Sequence, residues 1–354
     1  MVVPATAMAW LPSLLAMLGG ACMGTYPVFV KTPAMRAAKV HPFIFQGYKS
    51  VWVLIVGGVL VLARFASGAE PVYVFTPWGV ASACAWVPAG MSLIAAIPKI
   101  GVGTAVLIFD STTTLVSFFV FWLVFQEPIK THELPGGGVY YLAPVYMVGA
   151  CLGMAGLIIL PAKCSGANPK LAEPLLGTSA LAAPAPSAAQ QAAAGYALAA
   201  VAGVLSATQY GLVTIGKQVA TASGVPPEAL DPLGSWTASF GVGAVAVNAL
   251  ALGALCSAPN PPAPQTAVTL LPGSAAGLLY CAALVLTTLA VQLGGNAVIM
   301  AQRNAITLIV SGAWGVLWYK EIRGRALVGW AASALFTVTM TLALGFEKLP
   351  EQHH

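Results

Sequence analysis

The feature that most constrains this chain is a succession of uncharged apolar runs, each long enough to cross a bilayer. About 20 predominantly apolar residues traverse about 30 Å of hydrocarbon. By that ruler ten spans are expected, approximately from 8 to 30, 42 to 63, 76 to 97, 102 to 125, 139 to 161, 194 to 216, 232 to 256, 273 to 293, 297 to 319 and 326 to 346. None shows the alternation of a barrel strand, and hydrocarbon leaves every backbone group to be bonded internally, so the spans are expected to be helices. Pro27, Pro88 and Pro144 fall inside them and predict kinks. Only 7% of the 354 residues are charged and the mean hydropathy is +0.85, where a soluble domain carries about a quarter charged residues. Such a chain cannot clothe itself in a hydrated surface. The expected class is an all-α membrane protein, integral and multi-pass, in the plasma membrane or an endomembrane, with the lipid bilayer as its solvent.

The same composition excludes several functions. Fifteen Lys and Arg against ten Asp and Glu give a net charge of +5, scattered over short connections without a basic block, so nucleic acid is not a partner. The six cysteines (Cys22, Cys84, Cys151, Cys164, Cys256 and Cys281) lie mostly in apolar runs without CxxC spacing or nearby histidines. They read as small apolar filler, with no disulfide framework, metal or cofactor expected. His41, His132, His353 and His354 fall in connections or at the tail, so no Ser and His pair is available inside a span and an enzyme is not expected. A GxxxxGK[ST] loop is also missing, which argues against a primary pump. Met1 to Ala7 contains no Lys or Arg, so the first run is expected to be a retained span, not a cleaved signal.

The chain repeats itself. A constant offset of 194 positions lays the third and fourth spans on the eighth and ninth, setting Trp86 on Tyr280, Gly101 on Gly295 and Glu127 on Glu321. It also sets Asp110, Thr113 and Ser117 on Asn304, Thr307 and Ser311, three polar residues spaced i, i+3, i+7 on one helix face. The organisation expected is a first five-helix repeat over 1–161, an Ala/Pro-rich linker over 162–193, a second five-helix repeat over 194–346 and a tail over 347–354. Five spans per half force the copies into opposite orientations, giving ten transmembrane helices as two inverted five-helix repeats, an arrangement that secondary transporters use for alternating access.

Three charges sit within spans: Lys49 about seven residues into the second, Asp110 about eight into the fourth and Arg303 about six into the ninth. A charge at the bilayer centre costs at least about 2.5 kcal/mol, so each should be paired or functional. One reading is a polar cavity in which Asp110 and Arg303 bind substrate or exchange a proton, with Asn304, Thr113, Ser117, Thr307 and Ser311 as hydrogen-bonding groups. The other is a structural ion pair, with Lys49 snorkelling to the interface or pairing with Asp110. Gln46, Tyr26 and Trp86, with Gln209 and Tyr210 behind them, are candidates to line a cavity for a small polar molecule such as a sugar. Helix packing or an interfacial aromatic belt accounts for them equally well. Glu127 and Glu321 read as solvated helix ends.

The motif WGVLWYKEIRG, preceded by RNAITLIVSGA, resembles the drug/metabolite transporter superfamily. GTYPVFVK, FIFQ, AW in the third span and KIGVGTAV follow in the order of its sugar-transporter-like branch, which includes glucose uptake permeases and the rhamnose-proton symporter. That resemblance implies a carrier with a central cavity moving a sugar or another small polar metabolite. Protons are the candidate coupling ion and a homodimer the candidate assembly. Two positions depart from the branch: Asp110 stands where a small or aromatic residue is common, and Gly90 where a polar residue follows the Trp of the third span. Carriers of ureides, nucleobase-type metabolites and nucleotide sugars share the superfamily, and a non-transporting sensor or assembly protein on the same fold is the reading from another class. The Lys and Arg distribution (Lys31, Arg36, Lys39, Lys99, Lys163, Lys170, Lys320, Arg323 and Arg325 on one side, against Arg64, Lys130, Lys217 and Lys348) predicts non-cytoplasmic termini.

Overall fold

Proline and glycine set the helix ends. The computed structural model describes residues 5–30, 32–38, 40–164, 188–224, 227–257, 261, 263, 266–319 and 322–348. Helix α1 (Ala5–Thr25) stops at a turn on Tyr26, and Pro27 opens a separate short helix, α2 (Pro27–Val30), ahead of α3 (Pro33–Ala38). The expected first span therefore breaks where a kink was predicted. Helix α4 (Pro42–Ala66) starts on Pro42, whose missing N–H costs nothing at a first turn. His41 caps it, its Nδ1 accepting the Phe43 N–H at 3.3 Å. Helix α5 (Pro77–Ile100) opens on Pro77 and runs continuously through Pro88. Gly101 follows at φ +82 and α6 (Val102–Phe119) begins at once, extended by a π-helical turn over Val120–Val124. Gly295, matched to Gly101 by the repeat, stands at φ +71 between α10 (Thr266–Gly294) and α11 (Asn296–Leu317). Only glycine enters that left-handed region without a Cβ penalty, so both junctions depend on it.

Several boundaries differ from the expectation. Residues 139–140 form a strand, β2 (Val139–Tyr140), paired antiparallel with β1 (His132–Glu133). The fifth membrane helix, α7 (Ala143–Cys164), starts only after it. Pro144 thus lies in the first turn of α7, where it initiates the helix and does not kink it. Helix α7 continues to Cys164 and α8 (Ala188–Ser223) begins at Ala188; residues 165–187, most of the expected linker, lie outside the described ones. Helix α9 covers Ser235–Cys256 and α12 Arg325–Phe346. The start of the tail is tied down: Glu347 accepts the Lys130 N–H at 2.8 Å on its backbone oxygen, and its Oε2 lies 2.6 Å from His132 Nε2. Lys320, Glu321 and residues 349–354 lie outside the described residues.

Among the described residues nine helices are long and apolar enough to cross a membrane. The remaining expected span, ninth in chain order, is α11, a helix of 22 residues that is long enough but carries Asn296, Gln302, Arg303 and Asn304. Burial is inverted relative to a soluble protein. Leu271, Leu250, Leu317 and Leu335 are 71% or more exposed, while Gln46, Thr113, Ser117 and Asn304 are fully buried. Apolar side chains of that number pointing outward need hydrocarbon around them, so this is an integral, multi-pass, all-α membrane protein in contact with lipid.

The chain falls into two compact units, and neither is a sequence half. The first takes Met1–Thr25, Asp110–Pro169 and Leu286–His354; the second takes Tyr26–Phe109 and Lys170–Val285. In the first, α1 packs on α11 and α7 on α12. Glycines one turn apart let these backbones approach: a Cβ on Gly20 or Gly24 would lie 2.5 Å from the Arg303 or Thr307 carbonyl oxygen, and one on Gly149 2.6 Å from Met340 Sδ. In the second, α4 packs on α9 and α5 on both α8 and α9. There a Cβ on Gly57 would meet the Ala238 backbone at 2.6 Å, and one on Gly241 the Leu54 backbone at 2.6 Å.

Candidate functional site

In the second unit a lysine is enclosed by aromatic rings. Lys49, two turns into α4, is 4% exposed. Its Nζ lies 4.9 Å from the centre of the Tyr26 ring, 5.3 Å from that of Trp86 and 5.1 Å from that of Tyr280. Trp86 on α5 and Tyr280 on α10 stack at 4.5 Å with planes 20° apart, and Phe240 of α9 backs Trp86 at 5.4 Å. Each ring face returns about 0.5–2 kcal/mol to the ammonium. The Lys49 head group is buried among these rings.

Buried amides flank the cage. Gln46, one turn before Lys49, is fully buried, and neither amide atom has a hydrogen-bond partner among the described residues. Gly90, one turn beyond Trp86, makes room for it, since a Cβ there would lie 3.0 Å from Gln46 Oε1. One turn before Trp86, Ser82 Oγ donates to the backbone oxygen of Gln209 on α8 at 2.7 Å. Gln209 is itself 2% exposed, with its Nε2 lacking a partner among the described residues. Ser82, Trp86 and Gly90 thus form one stripe on α5 at i, i+4, i+8. A buried amide left unbonded costs about 1–3 kcal/mol, a cost a ligand with hydroxyl or carbonyl groups would remove. Beside Lys49, Asn248 Nδ2 donates to Ser50 Oγ.

The first unit holds the other expected pair. Arg303, 1% exposed, donates from Nη1 to Asn304 Oδ1 at 2.6 Å. Asn304 Nδ2 donates in turn to Thr114 Oγ1 at 2.9 Å and to the backbone oxygen of Asp110 at 3.3 Å. Arg303 also acts electrostatically on Asp110, which is 1% exposed and whose carboxyl oxygens have no hydrogen-bond partner among the described residues. The link between the two charged residues therefore runs through Asn304 to the main chain of Asp110.

The neutral stripe of α11 goes largely to helix packing. Thr307 Oγ1 bonds the Gly20 carbonyl at 3.3 Å and the Arg303 carbonyl at 3.0 Å, while Ser311 Oγ donates to the Gly24 carbonyl at 3.0 Å. Its counterparts on α6, Thr113 and Ser117, are fully buried, and Ser117 Oγ has no partner among the described residues. Lys49 and Asp110 fall in different units. Sequence reasoning missed three contributors. Tyr280 was legible only as the repeat partner of Trp86, and Thr114 was passed over for its neighbour Thr113. Glu127, read as a solvated helix end, instead caps α11: its two carboxylate oxygens accept the Asn296 and Ala297 N–H groups, each at 2.9 Å. Among the described residues no group of His, Cys, Asp and Glu could hold a metal ion.

No family model matches the chain. A segment of 98 residues, 27% of the chain, is 31% identical to transmembrane protein 144 homolog A of Dictyostelium discoideum. The match spans only 26% of that protein's length. A protein crystal structure superposes with a TM-score of 0.60, covering 96% of this chain and 98% of its own at 17% identity, a likeness of fold alone. The relative, a transmembrane protein by its name, and the nine apolar spans among the described residues fit a multi-pass membrane protein.

Proposed function

We propose that this chain is a secondary transporter that carries a small polar metabolite, a sugar-like molecule first among them, by alternating access between two inverted five-helix repeats. The observation that carries this reading is the Lys49 cage. A buried cation, flat aromatic rings and amides with unmet hydrogen-bonding capacity are what a polar ligand needs in order to leave water. Gln46 places its amide in the space above Gly90, so α4 supplies the polar group that the resembling branch carries on its third span. Two contacts support the repeat. Trp86 stacks on Tyr280, and Asn304 bonds Asp110; within each unit, the residues meeting are those the 194 offset makes equivalent. Residues related by a twofold axis touch when they lie beside it. Asp110, buried with its carboxyl oxygens unbonded among the described residues, is the group proposed to carry a coupling proton. Carriers of ureides, nucleobase-type metabolites or nucleotide sugars remain within the same reading.

Uptake into proteoliposomes of labelled sugars, nucleobase metabolites and nucleotide sugars, with and without a pH gradient, tests it. Saturable uptake of at least one, lowered by Trp86→Ala, is expected. A folded protein that moves none of them would favour a sensor or assembly role.

A further inference from the structure

We infer that the Lys49 cage takes a ligand bearing a carboxylate or phosphate, the anionic group serving as the counter-ion that Lys49 lacks among the described residues of its unit. This deepens the carrier reading and rests on it. The acidic residues of the second unit among the described ones are Glu70, Glu228 and Asp231. All three lie in connections between the membrane helices, and Asp231 is engaged by Arg64 Nη1 at 2.5 Å. Among the described residues, the Lys49 ammonium is in contact with the faces of Tyr26, Trp86 and Tyr280.

Burial of an unpaired charge is costly, and ring faces return only part of its hydration. A lysine kept for structure alone would be expected to have a carboxylate or backbone carbonyls at its head. Lys49 has rings, which hold a cation in place without saturating its three N–H donors. An incoming anion can therefore replace weak partners with a strong one and leave again without breaking an internal ion pair. Gln46 and Gln209 set the remainder of the ligand: buried amides with open capacity, one turn from the cage along α4 and beside the Ser82 end of the α5 stripe, suit hydroxyl groups. The class indicated is a small hydroxylated acid, such as a sugar acid or sugar phosphate, in preference to the neutral sugar.

The test uses the full chain in lipid nanodiscs, with binding of glucose, glucuronate and glucose 6-phosphate followed by calorimetry, and flux of the same three followed in proteoliposomes. At least tenfold tighter binding of one anion than of glucose is expected, and the better anion tells carboxylate from phosphate. Lys49→Met should bring the affinities within twofold of one another, while Lys49→Arg should keep most of the preference. Should Lys49→Met fail to fold, Lys49→Arg and the wild-type ranking decide. Equal affinities, binding of none of the three, or a preference that survives Lys49→Met would overturn the inference. Anion-selective binding without flux would defeat the carrier reading alone; flux of glucose with no anion preference would defeat this inference alone.

Discussion

Replacing Gly24 by alanine tests whether the contact of α1 with α11 is as tight as its geometry states. A Cβ at this position would lie 2.5 Å from the Thr307 carbonyl oxygen and 2.9 Å from Val310 Cβ, inside the 3.0 Å that real Cβ atoms keep. The obstruction is backbone, so a rotamer change cannot relieve it and α1 must back away. Forcing one extra carbon into a packed site costs about 1–3 kcal/mol. The retreat also stretches the Ser311 Oγ bond to the Gly24 carbonyl, now 3.0 Å, and the Trp314 Nε1 bond to Thr25 Oγ1, now 3.1 Å. Each such interhelical bond is worth about 0.6 kcal/mol in a membrane. Against this stands a gain of about 1 kcal/mol from replacing glycine by alanine within a helix. The net loss expected is about 1–3 kcal/mol. Gly58 on α4 supplies the control, because a Cβ there meets nothing within 4 Å; Gly58→Ala should be neutral or stabilising. Unfolding in mixed detergent micelles, titrated with SDS and followed by tryptophan fluorescence, measures both. Equal midpoints for the two variants would refute the close-packed seam.

Four further outcomes are expected. Glu127→Ala should destabilise the protein by about 1–2 kcal/mol in the same assay, by freeing two N–H groups at the start of α11, with Glu127→Gln intermediate. Asp110→Asn combined with Arg303→Gln should recover abundance lost in either single variant; if Asp110 carries a proton, the double variant exchanges substrate but loses gradient-driven uptake, and wild-type behaviour of both single variants would remove the pair from the mechanism. Burial holds the His41 ring below its ordinary 6.5, so the unfolded chain takes up the proton first as pH falls; stability should drop from about pH 6.5 down to the folded value and be unchanged above it, a dependence that His41→Asn removes. Tags at the two termini should be reached by antibody without permeabilisation if the termini are non-cytoplasmic, and staining only after permeabilisation would reverse that orientation.

The helices were legible because hydrophobic length reports on the bilayer directly: ten spans could be counted from the runs, and nine of them are long and apolar enough among the described residues. Their pairing was not. The two compact units interleave both sequence halves, and which helix faces which is set by seams such as Gly20 and Gly24 against α11, glycines that look like every other glycine in an apolar run. The same limit governs the polar residues. Asp110, Asn304 and Arg303 were identifiable because charge and amide stand out in hydrocarbon, yet the role of Asn304 as the link depends on a residue 194 positions away. Thr307 and Ser311 showed their common face but not that α1 lies on it. Tyr280 was hidden for a different reason: a tyrosine in an apolar segment most often anchors an interface, and only its contact with Trp86 and Lys49 distinguishes it. Glu127 was misread because its two partners begin a helix 169 residues later in the chain.

Helix α11 has a consequence for how the protein is made. With Asn296, Gln302, Arg303 and Asn304 along it, a lone helix would gain little by leaving the insertion machinery for lipid, since arginine alone costs about 2.5–3.5 kcal/mol at the bilayer centre. What holds it is protein: α1, synthesised before it, and α12, whose Thr341 carbonyl accepts from Gln302 Nε2 at 3.4 Å and which is synthesised after it. Biogenesis therefore cannot proceed as a series of independent insertions. Helix α11 has to be kept from lipid until α12 emerges, so a ribosome stalled or a chain truncated before Arg325 yields a product that membrane quality control should recognise and degrade.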